Sequence, residues 1–378
     1  MKKFLDCISV VGSTPSRFQG KKKYVSTGAV STTEIDESEV VEVSYEDRPS
    51  RANLTAEAGD ILFAKMQGTR KTLLLDSETE ENIYSTGFYA VRANPQIITT
   101  ECLYYLIDSE LFLSQKDKNC SGATQKAITN GGLAKIEIRV PPLSEQGVLT
   151  EKLRYLTQLI ADKRKQLELF DEVIKSRFIE MFGDPKDNPK GYAKKQLKDT
   201  CRVITGNTPS RAVTEYYGDD IEWIKTDNIV EGMIYPTKAT ESLSKKGMEV
   251  GRTVGKDAIL MACIAGSLSS IGRVCVTDRK VAFNQQINAI EPNKYNTLFL
   301  YVMLQLSKEY LIEEINMALK GILSKSKLEE KIFIVPPMDL QQQFAAFVEQ
   351  TDKSKFEIQQ SLEKLEILKK SLMQQYFG

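Results

Sequence analysis

Between Leu149 and Met181 the side chains alternate steps of four and three: Leu149, Leu153, Leu156, Ile160, Lys163, Leu167, Phe170, Ile174, Arg177, Met181. Such spacing is a heptad seam on one helix face, here with two charged interruptions. A second stretch repeats it: Phe344, Val348, Thr351, Lys355, Ile358, Leu362, Leu365, Lys369, Leu372, Tyr376. Roughly 34 residues at about 1.5 Å each predict a rod of roughly 50 Å. Polar seam members fix register at a cost in stability, and the simplest partner for one helix is the other. Antiparallel pairing would place the domains that precede the helices at opposite ends, about a pseudo-two-fold axis. Parallel pairing would place them side by side.

Ahead of each helix the pattern changes to short β-prone runs at Asp60–Phe63, Ile136–Val140, Ile221–Ile224, Asp257–Met261, Arg273–Val276 and Lys331–Val335, separated by Gly, Asn and Ser turns. One helix per domain is expected, at Thr100–Ser114 and Thr297–Met317. Gly183–Gly191, with two prolines and two glycines, reads as a linker. The expected fold class is α+β: two tandem strand-rich domains separated by long helices that pair as an antiparallel coiled coil, as a pseudo-two-fold internal repeat. The segments are 1–142 (first domain), 143–183 (first helix), 184–337 (second domain, with 184–191 as linker) and 338–378 (second helix).

The repeat is visible in the letters. TPSR at Thr14–Arg17 returns at Thr208–Arg211, offset 194, and VPP at Val140–Pro142 returns at Val335–Pro337, offset 195. Phe182–Gly183 recurs as Phe377–Gly378, Leu133 as Leu328 and Gln146 as Gln341, all at offset 195. Chance does not produce so many features in one register, so the chain reads as two units of about 190 residues.

Composition then narrows the chemistry. The chain's 378 residues suffice for two domains and 41% hydrophobic content for real cores. No apolar run approaches a membrane span and the first residues show no signal-peptide pattern, so a soluble, intracellular protein is expected. Six scattered cysteines without CxxC spacing, and no histidine at all, argue against a disulfide framework or a Cys/His zinc site. Without imidazole, serine–histidine triads are excluded. There is no P-loop, and the Pro-Pro pairs follow Val140 and Val335 rather than the Asn or Asp of an adenine methyltransferase site. Net charge is zero, with 17 basic and 19 acidic residues in 1–142 and 22 and 19 in 184–337. Any nucleic-acid footprint must come from local clustering.

Several strings in order resemble the type I restriction-modification specificity (S) subunit family over essentially the whole chain. In the second unit these are the TPS turn, IKTDNI (Ile224–Ile229), the AIL strand, NQQINAI (Asn284–Ile290), VPP and a long helix. In the first they are GDILFAKMQGT (Gly59–Thr69), SGATQKAIT (Ser121–Thr129) and VPPLSEQ (Val140–Gln146). The first unit offers YVSTGAV (Tyr24–Val30) where the family has a TTDI strand. The second has ALKGILSKS (Ala318–Ser326) in place of SGATQ and MDLQQQ in place of LSEQ.

The resemblance implies that each domain, a target-recognition domain, reads one half of a bipartite target in double-stranded DNA. It also implies that the helices set the spacer and dock two methyltransferase (modification) subunits, and that motor-nuclease (restriction) subunits join the complex. S-adenosylmethionine, ATP and Mg would belong to those partners, with no cofactor, metal or catalytic residue in this chain and a cytoplasmic, prokaryotic setting. A rod of roughly 50 Å matches about 15 bp at ~3.4 Å each.

Base reading needs Arg, Lys, Asn, Gln, Ser or Thr on loops that reach base edges. In the first domain the candidates are Ser13, Thr14, Ser16, Arg17, Lys21, Lys22, Lys23, Lys65, Gln67, Thr69, Arg70, Lys71, Thr124, Gln125 and Lys126. In the second they are Thr208, Ser210, Arg211, Lys225, Thr226, Asn228, Ser267, Ser269, Ser270, Arg273, Asn284, Gln285, Gln286, Lys325 and Lys327. The Lys21–Lys23 run is assigned to phosphate if it binds at all. A protein-only coiled-coil scaffold with two adaptor domains is the alternative, which exposed apolar patches on the domains would favour.

Overall fold

A computed structural model describes residues 1–313, 315 and 321–378. It divides into two compact units: Met1–Lys163 with Ser361–Gly378, and Arg164–Gln360. The end of the expected helix at Met317 and the first part of Ala318–Ser326 lie outside the described residues.

In the first unit an antiparallel sheet runs in the order Ile8–Val11, Phe88–Ala93, Ile61–Ala64, Thr72–Leu74. A second sheet has the order Val41–Val43, Lys22–Val25, Ile83–Ser85, Ala52–Leu54, with its middle pair parallel. The strand Ile61–Ala64 is buried on both faces. Because strand side chains alternate, Ile61 and Phe63 enter a core with Phe4 and Phe112, while Leu62 and Ala64 enter another with Val25, Tyr84 and Phe88. A continuous apolar ILFA is what such a position demands.

The second unit repeats both orders. Its antiparallel sheet is Cys201–Thr205, Ile287–Pro292, Ile259–Ala262, Val274–Val276. The other sheet is Ser242–Leu243, Tyr217–Ile224, Val281–Phe283, Thr253–Val254, again with a parallel middle pair. Ile259 and Met261 face one core and Leu260 and Ala262 the other. The duplication read from short strings is therefore a duplication of topology.

Each single helix expected ahead of VPP is in fact broken. In the first unit Thr100–Ile107 is followed by Glu110–Lys118, because Ser109 takes the N-cap of a new helix, its hydroxyl accepting from Phe112 N–H. In the second, Thr297–Leu306 is followed by Lys308–Ile312. Behind each break the VPP element is held by a buried glutamine. Gln146 donates from Nε2 to the carbonyls of Pro141 (2.9 Å) and Ile97 (3.0 Å), and its Oε1 accepts from Thr99 N–H (2.8 Å). Gln341 donates to Pro336 O (2.8 Å) and accepts from Asn296 N–H (2.9 Å). The buried turn ahead of each helix has orphan carbonyls, and one amide side chain supplies donor and acceptor together.

The long helices are Leu143–Phe182 and Met338–Phe377. Within the first unit Leu149 and Leu153, near the start of one, share a core with Met373 and Phe377, at the end of the other. Within the second unit Phe178 and Phe182 pack against Phe344 and Val348. Start meets end in both units, which is antiparallel pairing.

The seam departs from the heptad reading at its end. Arg177 is exposed and Met181 only partly covered, whereas Phe178 and Phe182 are fully buried, and Met373 and Phe377 are buried at the matching positions. Two successive steps of four after Ile174 follow the 3.6-residue helical turn rather than the 3.5 of a supercoil. Phe182 meets Phe299 at 4.8 Å and Phe344 at 5.6 Å between ring centroids. Phe182→Ala is expected to destabilise the second unit by about 3–5 kcal/mol, and Arg177→Ala by no more than about 1 kcal/mol. Urea unfolding followed by the fluorescence of Trp223 reads both.

Candidate nucleic-acid interface

In the first unit four segments converge beyond the buried strand Ile61–Ala64. The chain leaves that strand as Lys65–Thr69, and Lys65 pairs through its backbone with Gly87 on one side and Ile128 on the other. Met66 and Ser121 both bridge to Ala127, which lays the SGATQ loop against the strand exit. The turn at residues 26–28 and the turn at 85–87 complete the group. Together they line a cavity of about 410 Å³ whose wall includes Thr27, Arg51, Lys65, Thr69, Lys71, Thr86 and Gln125 and no carboxylate.

Lys65 Nζ donates to Thr86 O (2.9 Å) and lies 4.5 Å from the centre of the Tyr89 ring. Its half-burial holds its pKa below the ordinary lysine value. Lys71 Nζ donates to Thr27 O (2.6 Å). What the arrangement offers is positive charge, hydroxyls and an amide on a concave wall, the inventory that meets phosphates and base edges.

Of the candidates read from the sequence, Lys65, Thr69, Lys71 and Gln125 are brought together here, with Thr124 and Lys126 exposed on the same loop. Gln67 and Arg70 hold the frame: Gln67 Nε2 donates to Asp117 O (3.2 Å), and Arg70 Nε donates to the Asp108 carboxylate (2.9 Å), which raises the Arg70 pKa. Thr14 and Ser16 are exposed on their turn, and Ser13 Oγ meets Thr55 Oγ1 at 3.1 Å. Arg17 pairs with Glu46, Lys21 with Glu42, Lys22 with Glu81 and Lys23 with Glu37. The lysine run is thus matched by an acid at every position.

Arg51, Thr27 and Thr86 went unread, and so did Lys116. This lysine is 1% exposed, and its Nζ donates to the carbonyls of Met66 (3.0 Å) and Thr69 (2.8 Å). It ties down the loop that carries Gln67 and Thr69. Nothing in its helical sequence neighbourhood marks it, because its partners lie about 50 residues upstream.

The second unit builds the same group from the matching strands. Cys263, in place of Lys65, pairs through its backbone with Gln286 and Leu323, and Ile264 bridges to Ile322. Asn228 folds its turn inward, its Oδ1 accepting from Lys225 N–H (3.0 Å) and its Nδ2 donating to Thr237 Oγ1 and Lys238 O. Thr226, on that turn, is partly exposed. Asn284 holds the other turn through both the backbone and the side chain of Gln286.

Thr208 Oγ1 hydrogen-bonds Gln285 Oε1, joining the TPS turn to this group. Gly206 permits that approach, since a Cβ there would lie 2.1 Å from Asn284 O. Arg211 and Lys225 share the Glu241 carboxylate, and the hydrogen bond from Lys225 is the main reason the Glu241 pKa falls below the ordinary carboxylate value. Ser210 is exposed; Ser267 hydrogen-bonds both Ser269 and Ser270, and Arg273 Nε donates to Ser270 O. Lys325 pairs with Glu329 and lines a polar groove with Lys198, Arg202 and Arg252, while Lys327 is exposed.

The sequence profile of the family described as type I restriction modification DNA specificity domain matches residues 12–169 and again 189–369. The chain belongs to that family. Among its relatives, the type I restriction enzyme HindI specificity subunit of Haemophilus influenzae is 22% identical over 75% of this chain and 76% of the relative. The MjaIX specificity subunit of Methanocaldococcus jannaschii is 26% identical over 67% of this chain and 62% of the relative.

Among solved structures, the S subunit of a type I restriction-modification system from M. genitalium has a TM-score of 0.62 at 13% identity, covering 100% of this chain and 95% of that one. A chain from a study of complex assembly and conformational transition of the type I R-M system has a TM-score of 0.58 at 18% identity, covering 99% and 96%. These structural likenesses carry the fold. Among the described residues no helix is long and apolar enough to cross a membrane.

Lys116→Met leaves the Met66 and Thr69 carbonyls without their buried donor. Amide hydrogen exchange at Gln67–Arg70 is expected to accelerate by about tenfold or more while the strand Ile61–Ala64 stays protected. Unchanged exchange would refute this role for Lys116.

Proposed function

We propose that each unit reads one half of a bipartite double-stranded DNA target and that the chain is a non-catalytic specificity subunit. In this reading the long helices set the spacer between the half-sites and dock two methyltransferase subunits, with motor-nuclease subunits joining for restriction. S-adenosylmethionine, ATP and Mg act in those partners, in a prokaryotic cytoplasm. The observation that carries the reading is the duplicated convergence of polar turns at the exit of a doubly buried strand, with cations in both copies, in a family named for DNA specificity. Exposed apolar residues on the part of the second long helix that belongs to the first unit, Ile367 and Leu368, suit a protein partner there.

Adenine methylation mapped in host DNA with and without this gene tests the reading. A gapped, bipartite motif that depends on the gene is expected, and methylation indifferent to the gene overturns it. Lys65→Gln with Lys71→Gln is expected to weaken duplex binding and to reduce the slope of log affinity against log salt by about 1–2, whereas Lys21→Gln leaves both unchanged. Deleting one heptad from both helices removes about 10 Å of rod, so the preferred spacer is expected to shorten by about 3 bp.

A further inference from the structure

We infer that Arg211 reads a guanine in the half-site bound by the second unit, with Glu241 as its positioning residue; this rests on the DNA-recognition reading above. Arg211 ends the TPSR turn. Its guanidinium lies 4.5 Å from the centre of the Tyr217 ring and 5.2 Å from that of Trp223, and its Nη2 meets Glu241 Oε2 at 2.7 Å. Tyr217 in turn donates from its hydroxyl to Pro209 O (2.7 Å), so one ring fixes both the turn and the arginine. The backbone N–H of Trp223 donates to Glu241 O (3.0 Å), so the backbone of Glu241 is pinned as well.

The cation is held by rings and by a carboxylate, yet 57% of its side chain stays exposed. Lys225, on the same carboxylate and 5.2 Å from the Trp223 ring, is more covered, at 27%. The exposed donor of the cluster is therefore a planar fork with little freedom to move.

Orientation and charge decide what such a fork recognises. A phosphate is held chiefly by net charge, and Glu241 offsets part of the charge here. A guanine is recognised by two donors at fixed spacing, reaching O6 and N7 in the major groove. The place in the fold agrees. Through Thr208 and Gln285 the TPSR turn joins the 284–286 turn, and through Glu241 it joins the turn that starts at Lys225. In the first unit the matching turns line the basic cavity.

The first unit also contains the contrast. Arg17, in the same TPSR string, pairs with Glu46 while its side chain remains 81% exposed; Tyr24 occupies the strand position of Trp223, and Val41 rather than a carboxylate that of Glu241. The carboxylate that pairs with Arg17 is itself 59% exposed, so it orients that guanidinium less than Glu241, at 34%, orients Arg211.

Selection of randomised duplexes by the purified full-length chain tests the inference, comparing wild type with Arg211→Lys, Arg211→Ala, Glu241→Gln and Arg17→Ala. Wild type is expected to enrich a half-site with an invariant G·C pair. That position becomes degenerate in both Arg211 variants, with discrimination falling about tenfold or more, while the rest of the motif persists. Glu241→Gln is expected to relax the same position alone, and Arg17→Ala none. An enriched motif that keeps its guanine in Arg211→Lys and Arg211→Ala overturns the inference and leaves the DNA-recognition reading intact. Enrichment of no motif by the wild type overturns both.

Discussion

Everything in this molecule depends on how the two long helices close the domain cores. The core of the first unit takes Leu149 and Leu153 from the start of one helix and Met373 and Phe377 from the end of the other. The core of the second takes Phe178 and Phe182 together with Phe344 and Val348. Each unit is therefore completed by both helices, and an apolar face that neither domain could cover alone is covered by a partner running in the opposite direction. The first unit is closed by the last residues of the chain, as when Arg139 donates to Gln375 O across 236 positions. Such closure orders a long loop before the contacts that reward it form.

From that constraint the rigidity of the candidate sites follows. The buried glutamines Gln146 and Gln341 lock each long helix to the carbonyls that precede it and to the N-terminus of the short helix ahead of the VPP element. The strands Ile61–Ala64 and Ile259–Ala262, packed on both faces, leave their cores at fixed points, and the polar turns gather there. Lys116 in one unit and Asn228 in the other then pin individual loops by satisfying backbone groups. The candidate turns are thus mounted on strands packed on both faces.

On this shared frame the two sites differ in their electrostatics. The first holds Arg51, Lys65 and Lys71 around a cavity without a carboxylate. The second places Glu241 between Arg211 and Lys225 and backs them with Tyr217 and Trp223. A duplicated fold with unlike sites fits the proposed reading of two half-sites, since function resides in the grafted residues rather than in the frame.

The sequence by itself determined the duplication, the two long helices and the strands just ahead of VPP, because period and repetition are local properties of the chain. It also pointed to TPSR, Lys65, Lys71 and Gln125, whose residue types suit nucleic acid. Only the tertiary structure decided the rest. The heptad reading missed Phe178 and Phe182 because what lies opposite them, Phe299 and Phe344, comes from distant segments. The break in the first unit turns on Ser109, whose capping competes with helix continuation, and period alone cannot weigh that competition. The lysine run at residues 21–23 looked free until acids from the neighbouring strand and from two short turns met it. Whether a charge is open, paired or buried depends on what the fold brings beside it, and such neighbours lie tens to hundreds of residues away along the chain.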